Sequence, residues 1–495
     1  VENLIGGFAT VFQPATLACC FIGVLLGTVV GILPGLGPLT TIALLLPITY
    51  KMDVTSAIIM LSGIYYGVAY GGTVTSVLMR IPGEASSVVT CLDGYEMARK
   101  GRAGAALGIA ALGSFFAGTV GVVAISYLSP PLSRWVLAFG PAEYSMVMLA
   151  GLALVTYFSN GSRLKAVLMA VFGLLLGTVG SDPLAGSARL TFGVFHLLGG
   201  IDLVPLAIGL FGISEVLSMA LTKPEKLKVL TPPATLLGFM PNREEFRRSV
   251  APVMRGTVMG FLVGLIPGGG AVLATFVSYA TERKLSKHPE EFGKGAVEGL
   301  AGPEAANNAG TAGAFVPLLC MGVPANAITA LLLGAFMIHG VAPGPTIMER
   351  QPEIFWGIVA SMYVGNVMLL ILNLPLIGLF VRILDVPRAW LAPIILMVCL
   401  IGVYSTNSAP MDVLLAVLFG ITGYILRRYG YDLGIVILAY VLGGIFERSV
   451  RRALAISDGD LAIFVSTPLT ISFAVITAVL VVIAFIPRRQ IASPK

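Results

Sequence analysis

Charge is missing from long stretches of this chain. Residues 3–50, 54–79, 103–133, 144–162, 256–281, 305–348, 354–381, 389–411 and 461–487 contain no Asp, Glu, Lys or Arg. Shorter charge-free runs cover 166–181, 203–214, 413–426 and 433–446. A membrane helix needs about 20 apolar residues, and a charge near the bilayer centre costs about 3 kcal/mol. Runs of this length constrain the chain to a polytopic membrane protein. The composition agrees: of 495 residues, 57% are hydrophobic and 11% charged, against roughly 25% charged in soluble domains. So little charge cannot cover a soluble surface, which excludes a cytosolic enzyme, a coiled coil and a disordered scaffold. The runs are continuous and rich in Leu, Ala and Gly, whereas membrane barrels show short alternating strands with a polar lumen face. The expectation is an all-α polytopic membrane protein of about 12 membrane segments, some of them broken.

The net charge is +6. Basic residues fall between the apolar runs, so the positive-inside rule accounts for them, and no nucleic-acid motif accompanies them. The most charged interior segment is 222–255, with Lys223, Lys226, Lys228, Arg243, Arg247, Arg248 and Arg255. Read as a cytoplasmic linker, it divides the chain into a first membrane half (1–221), a linker (222–250), a second half (251–487) and a basic tail (488–495). Five cysteines lie mostly in apolar runs, and three histidines have no partners at ligand spacing. Neither a disulfide framework, a metal set nor a cofactor is expected.

The halves resemble each other. GTVVGILPGLG at 27–37 aligns without gaps to GFLVGLIPGGG at 260–270, an offset of 267 − 34 = 233. A second pair follows in the same order: GGTVTSVLMRIPG at 71–83 and AGTAGAFVPLLCMGVPA at 309–325. Two motifs repeating in order point to two related repeats, expected to be inverted and to carry broken helices or re-entrant hairpins. Irregular backbone at membrane depth survives only inside protein or against a water-filled cavity. Transporters use such breaks to aim half-helix N-termini at anionic substrates.

The breaks supply the candidate site residues. Gly35 and Gly37 flank the first, and Thr40 follows it near a new helix start. Gly72, Thr73, Gly83, Ser86 and Ser87 form the second. Gly268, Gly269 and Gly270 form the third; Thr311, Pro324 and Asn326 belong to the fourth. Glycines let backbone approach a ligand, and the hydroxyls and amides supply donors and neutral oxygens. Half-helix N-termini at Thr40, Thr73, Ser86, Thr311 and Asn326 would receive carboxylates. Asn307, Asn308 and Glu304 are the candidate ligands of a coupling ion, Na⁺ or H⁺. Arg80 is open to three readings: a substrate partner, an ion-pair partner of Glu84, or an interfacial side chain. The run 256–281 is either a hairpin or one long broken span, and the basic residues at both its ends favour the hairpin.

These residues carry a family resemblance. GILPGLGPLTTIALLLP, YGGTVTSVLMRIPGEAS, LDGYEMARKGRAGAALG and SKHPEEFGKGAVEGLAGPEAANNAGTAGAFVPLL resemble the large membrane subunit of tripartite tricarboxylate transporters, the TctA family, and the likeness runs over nearly the whole chain. It implies a multi-pass bacterial inner-membrane importer of citrate-like di- or tricarboxylates. The partners implied are a small four-helix membrane subunit and a periplasmic solute-binding protein, with an ion gradient rather than ATP as the driving force. No phosphate-binding loop of the G-x-x-x-x-G-K-[ST] type occurs. The family commonly has an uncharged residue at the Arg80 position, so an Arg80 lining the pocket would shift preference away from citrate. The alternatives are a passive organic-anion channel, a membrane enzyme, for which no nucleophile or metal set is present, and a scaffold, which would not need paired polar breaks.

Overall fold

The computed structural model describes residues 2–33, 36–159, 162–182, 186–221, 229–230, 235–381 and 388–485. Its helices are α1 (Glu2–Val11), α2 (Pro14–Ile32), α3 (Pro38–Thr49), α4 (Val54–Met79), α5 (Thr90–Met97), α6 (Ala103–Val136), α7 (Pro141–Phe158), α8 (Arg163–Gly177), α9 (Leu203–Ala207), α10 (Ser214–Leu221), α11 (Arg243–Gly264), α12 (Gly270–Leu285), α13 (Val297–Met321), α14 (Ala327–Ile338), α15 (Ile347–Arg350), α16 (Pro352–Asn373), α17 (Ile377–Val381), α18 (Arg388–Asn407), α19 (Pro410–Arg428), α20 (Leu433–Ile456) and α21 (Pro468–Phe485). One two-residue antiparallel pair, Gly180–Ser181 with Ala188–Arg189, is the strand content among the described residues. The fold is all-α and polytopic. Nine described helical stretches are long and apolar enough to cross a membrane, and α3, α14 and α21 are shorter apolar helices. The sequence expectation of about 12 segments counted short helices with long ones.

Small residues set the core. On α2, a Cβ at Gly23, Gly27 or Gly31 would lie 2.2, 2.6 or 2.7 Å from the carbonyl oxygens of Met60, Ile64 and Val68 on α4. On α11, a Cβ at Gly256, Gly260 or Gly264 would lie 2.2, 2.4 or 2.4 Å from the carbonyl oxygens of Gly302, Ala306 and Gly310 on α13. Glycine at every fourth position lets two backbones touch, which is how helices associate where lipid supplies no hydrophobic drive. The numbering rises together in each pair, so α2 runs parallel to α4, and α11 to α13. The chain between each pair must therefore turn back. In the second pair Arg255 at one end of the turned-back stretch donates to Glu282 at the other, Nε to Oε1 at 2.9 Å. The ends of 256–281 thus lie at one level, which is hairpin geometry.

Between the pairs the direction reverses. Thr73 of α4 meets Glu304 of α13, whereas Tyr65, eight residues earlier, meets Phe315 with the ring centroids 5.8 Å apart. Numbers rise on one helix and fall on the other, so α4 and α13 are antiparallel. Within the expected linker 222–250, Asn242 caps α11 and accepts from the Glu245 N–H at 2.8 Å. Residues 243–250 are therefore the first turns of a helix opened by the capping box Asn-x-x-Glu. Residues 222–228 and 231–234 of that linker, and the tail 488–495, lie outside the described residues.

Candidate functional site

Four chain breaks meet at one cavity of about 940 Å³. The first is the start of α3, where Gly37 is extended and Pro38 takes the first helical position; a proline there loses no helical hydrogen bond. The second follows α4. That helix ends on Arg80 in the left-handed region, φ 60°, and Pro82 cannot continue it. Gly83 is then pressed between helices: a Cβ would lie 2.2 Å from the Gly31 carbonyl oxygen and 2.4 Å from Gly72 Cα. The third break holds Gly268 at φ 80° and Gly270 at φ 54°, conformations that favour glycine. The fourth begins at Gly322, φ 67°, and ends on Asn326. The Gly268 N–H donates to the Ala325 carbonyl at 2.7 Å, which ties the third break to the fourth.

Helix N-termini face this space. The opening residues of α3 (Pro38, Leu39, Thr40), α12 (Gly270, Ala271), α14 (Ala327, Ile328) and α20 (Leu433, Gly434) all line the cavity. Each helix start carries N–H groups without helical partners and a partial positive charge; at α20 the Asp432 carboxylate already answers it, and the other three together favour an anion. Asn326 holds α14 in place: its Oδ1 accepts from the Thr329 N–H at 2.9 Å and its Nδ2 donates to Tyr65 Oη at 2.8 Å. Asp432 caps α20, accepting from the Gly434 N–H at 2.9 Å. α7 closes one side through Val155, Phe158 and Ser159, and Arg427 of α19 stands at the wall ion-paired with Glu215 of α10.

Of the sequence candidates, Gly37, Thr40, Gly83, Ser86, Gly268, Gly269, Gly270 and Asn326 line the cavity. Gly35 lies outside the described residues. Gly72 sits beneath the wall, where a Cβ would be 3.2 Å from Glu84 Cγ. Ser87 is behind it, its Oγ accepting from the Glu84 N–H at 3.2 Å. Pro324 is buried in the fourth break and does not line the cavity. Thr73 and Thr311 correct the reading of half-helix starts. Both are interior residues of unbroken helices, α4 and α13, because Gly71-Gly72 and Gly310 serve close helix packing and the breaks fall later, at Pro82 and Gly322.

The three expected ion ligands separate. Glu304 is 1% exposed. Its Oε2 accepts from Thr73 Oγ1 at 2.8 Å and its Oε1 from Thr90 Oγ1. Asn308 donates to Ser114 Oγ at 2.6 Å. These two belong to a closed hydroxyl network behind the cavity. Asn307 instead turns toward the cavity wall, donating Nδ2 to Glu84 Oε1 at 3.0 Å. Ser86 Oγ donates to the same oxygen at 2.5 Å. Arg80 is exposed, 5.8 Å from the Tyr95 ring, and does not line the cavity.

Sequence reasoning passed over Glu84 as a site residue, though it directly follows the second Pro-Gly break. It also passed over Tyr65, Arg427 and the start of α20. Arg427 looks like a loop base and Tyr65 like core, and only the folded arrangement turns them to the cavity.

The model of the tripartite tricarboxylate transporter TctA family matches residues 17–438. The chain is 48% identical to an uncharacterized 52.8 kDa protein in the TAR-I ttuC' 3' region of Agrobacterium vitis, over 98% of this chain and 96% of that one. It is 49% identical to an uncharacterized protein in the TAR-II ttuC' 3' region of the same organism, over 46% of this chain and 94% of that one. No solved structure matches.

Proposed function

Because the chain belongs to the tripartite tricarboxylate transporter TctA family, a family of transporter components and not of enzymes, we propose that it is the large subunit of an ion-driven carboxylate importer. It takes a small di- or tricarboxylate, delivered by a periplasmic solute-binding protein, across the bacterial inner membrane. A small four-helix membrane subunit completes the assembly. The observation that carries this reading is the cavity at the four breaks, ringed by helix N-termini, which suits an anion more than a cation or a neutral solute.

The two glycine-paired units act as inverted repeats in this reading. Support comes from their registers: Gly23, Gly27 and Gly31 plus 233 give Gly256, Gly260 and Gly264, and Met60, Ile64 and Val68 plus 242 give Gly302, Ala306 and Gly310. The antiparallel course of α4 and α13 supports the inversion. Hairpin-tip motion of an elevator type then carries the cavity between the two membrane faces.

The test is uptake into proteoliposomes that hold this chain and the small subunit, with the binding protein outside. Accumulation above the equilibrium level under an inward Na⁺ or H⁺ gradient is expected. Uptake that only equilibrates, indifferent to both gradients, makes the protein a passive organic-anion channel and overturns the reading.

A further inference from the structure

The cavity wall poses a charge problem. Its described residues include three carboxylates, Glu84, Glu215 and Asp432, against one guanidinium, Arg427. Glu215 has Arg427 as an ion-pair partner, and Asp432 is tied to the start of α20. Glu84 has no cation beside it among its described bonds. Its Oε1 is held by two neutral donors, Ser86 Oγ and Asn307 Nδ2. A carboxylate substrate entering this space meets Glu84 as a like charge, and like charges at close range in a poorly solvated site are strongly unfavourable.

A second observation lies next to it. Asn307 is 1% exposed, and its Oδ1 is a buried oxygen with no hydrogen-bond partner. A buried carbonyl oxygen left unsatisfied costs about 1–3 kcal/mol. Exchanging the amide's oxygen and nitrogen does not remove the problem, because Oδ1 would then face the Glu84 carboxylate. A hard monovalent cation removes both difficulties at once, since such ions take carboxylate, amide and hydroxyl oxygens as ligands.

We propose that Glu84, Ser86 and Asn307 form a Na⁺ site in the cavity wall, whose filling favours binding of the substrate. This deepens the importer reading and rests on it. It assigns the coupling carboxylate to Glu84, at the cavity, and leaves Glu304 a structural acceptor for Thr73 and Thr90. Bound Na⁺ neutralises Glu84, satisfies the Asn307 oxygen and presents a positive face to the incoming carboxylate. Each species then raises the affinity for the other, because linkage is reciprocal.

The experiment is thermal unfolding of the purified full-length chain in detergent, titrated with NaCl at constant ionic strength against KCl and choline chloride. Ligand that binds only the folded state raises the midpoint. A saturable rise specific to Na⁺ is expected for wild type and for Glu304→Gln. In Glu84→Gln the apparent Na⁺ affinity should fall by at least about tenfold, the smallest loss typical even of removing a group that only supports a metal ligand. Asn307→Asp adds a carboxylate and should make stability depend more steeply on Na⁺, which distinguishes a lost site from a misfolded variant. An unchanged Na⁺ response in Glu84→Gln overturns the proposal. So does a wild-type response that follows pH alone and ignores Na⁺. Failure of the importer reading shows elsewhere, as wild-type proteoliposomes that accumulate no carboxylate under any gradient.

Discussion

At the scale of single residues, one side chain can hold architecture and chemistry together. Asn326 caps α14, bonds Tyr65 and faces the cavity. Asn326→Ala removes the cap, and the expected loss of stability is about 1 kcal/mol. Asn326→Ser restores a capping oxygen but is too short to reach Tyr65. Thermal unfolding should therefore separate the two variants, while carboxylate uptake falls in both. Equal unfolding midpoints would mean that the cap contributes nothing. Glu304 poses the opposite case. Glu304→Leu leaves the Thr90 hydroxyl buried without its acceptor, at an expected cost of about 1–3 kcal/mol, and leaves Thr73 only its long bond to the Ala69 carbonyl at 3.4 Å. Glu304→Gln keeps an acceptor oxygen and should lose less in the same measurement. The sequence made Asn326 legible, because an Asn beside a Pro-Ala break reads as a helix start. It offers Glu304 as an ion ligand and Glu84 only as a partner for Arg80, although both are acids near a Gly-Pro motif. What separates them is which oxygens already have donors, and that is a property of the packed structure.

At the scale of elements, the glycines that made the repeat visible serve two different ends. Gly27 and Gly31, like Gly260 and Gly264, are where two helix backbones touch. Gly37 belongs to the cavity: its φ is −92°, and a Cβ there meets nothing within 4 Å. Gly27→Leu and Gly260→Leu should each force α2 from α4, or α11 from α13. Overpacking of this kind costs typically about 1–3 kcal/mol and sometimes more. Loss of monodisperse protein on size exclusion is the expected readout. Gly37→Ala should fold normally yet place a methyl group at the cavity wall. Unchanged thermal stability with weaker carboxylate uptake is expected, and normal uptake would remove Gly37 from the site. Sequence spacing showed that these glycines recur but not that the two sets differ, since helix packing and backbone exposure to a ligand both ask for a residue without a side chain. Thr73 and Thr311 depart from the expected half-helix starts for the same reason: their neighbouring glycines mark close packing, and the ends of α4 and α13 come later, at Pro82 and Gly322.

At the scale of the whole molecule, the third break touches α7. A Cβ at Gly151 lies 3.3 Å from Pro267 Cβ, close to the mean separation of about 3.8 Å in disulfides. An elevator-type cycle requires the breaks, which carry the cavity, to slide past their surroundings. α7 lines the same cavity without belonging to either glycine-paired unit, so its boundary with the third break is where that sliding should occur. With Cys19, Cys20, Cys91, Cys320 and Cys399 replaced by Ser or Ala, the double variant Gly151→Cys, Pro267→Cys should form a bond on mild oxidation. Transport should stop when the bond forms and return on reduction, while Na⁺-dependent stability persists because Glu84, Ser86 and Asn307 are untouched. Undiminished transport by fully cross-linked protein would show that the third break and α7 travel as one body, and the moving boundary would then have to lie elsewhere around the cavity.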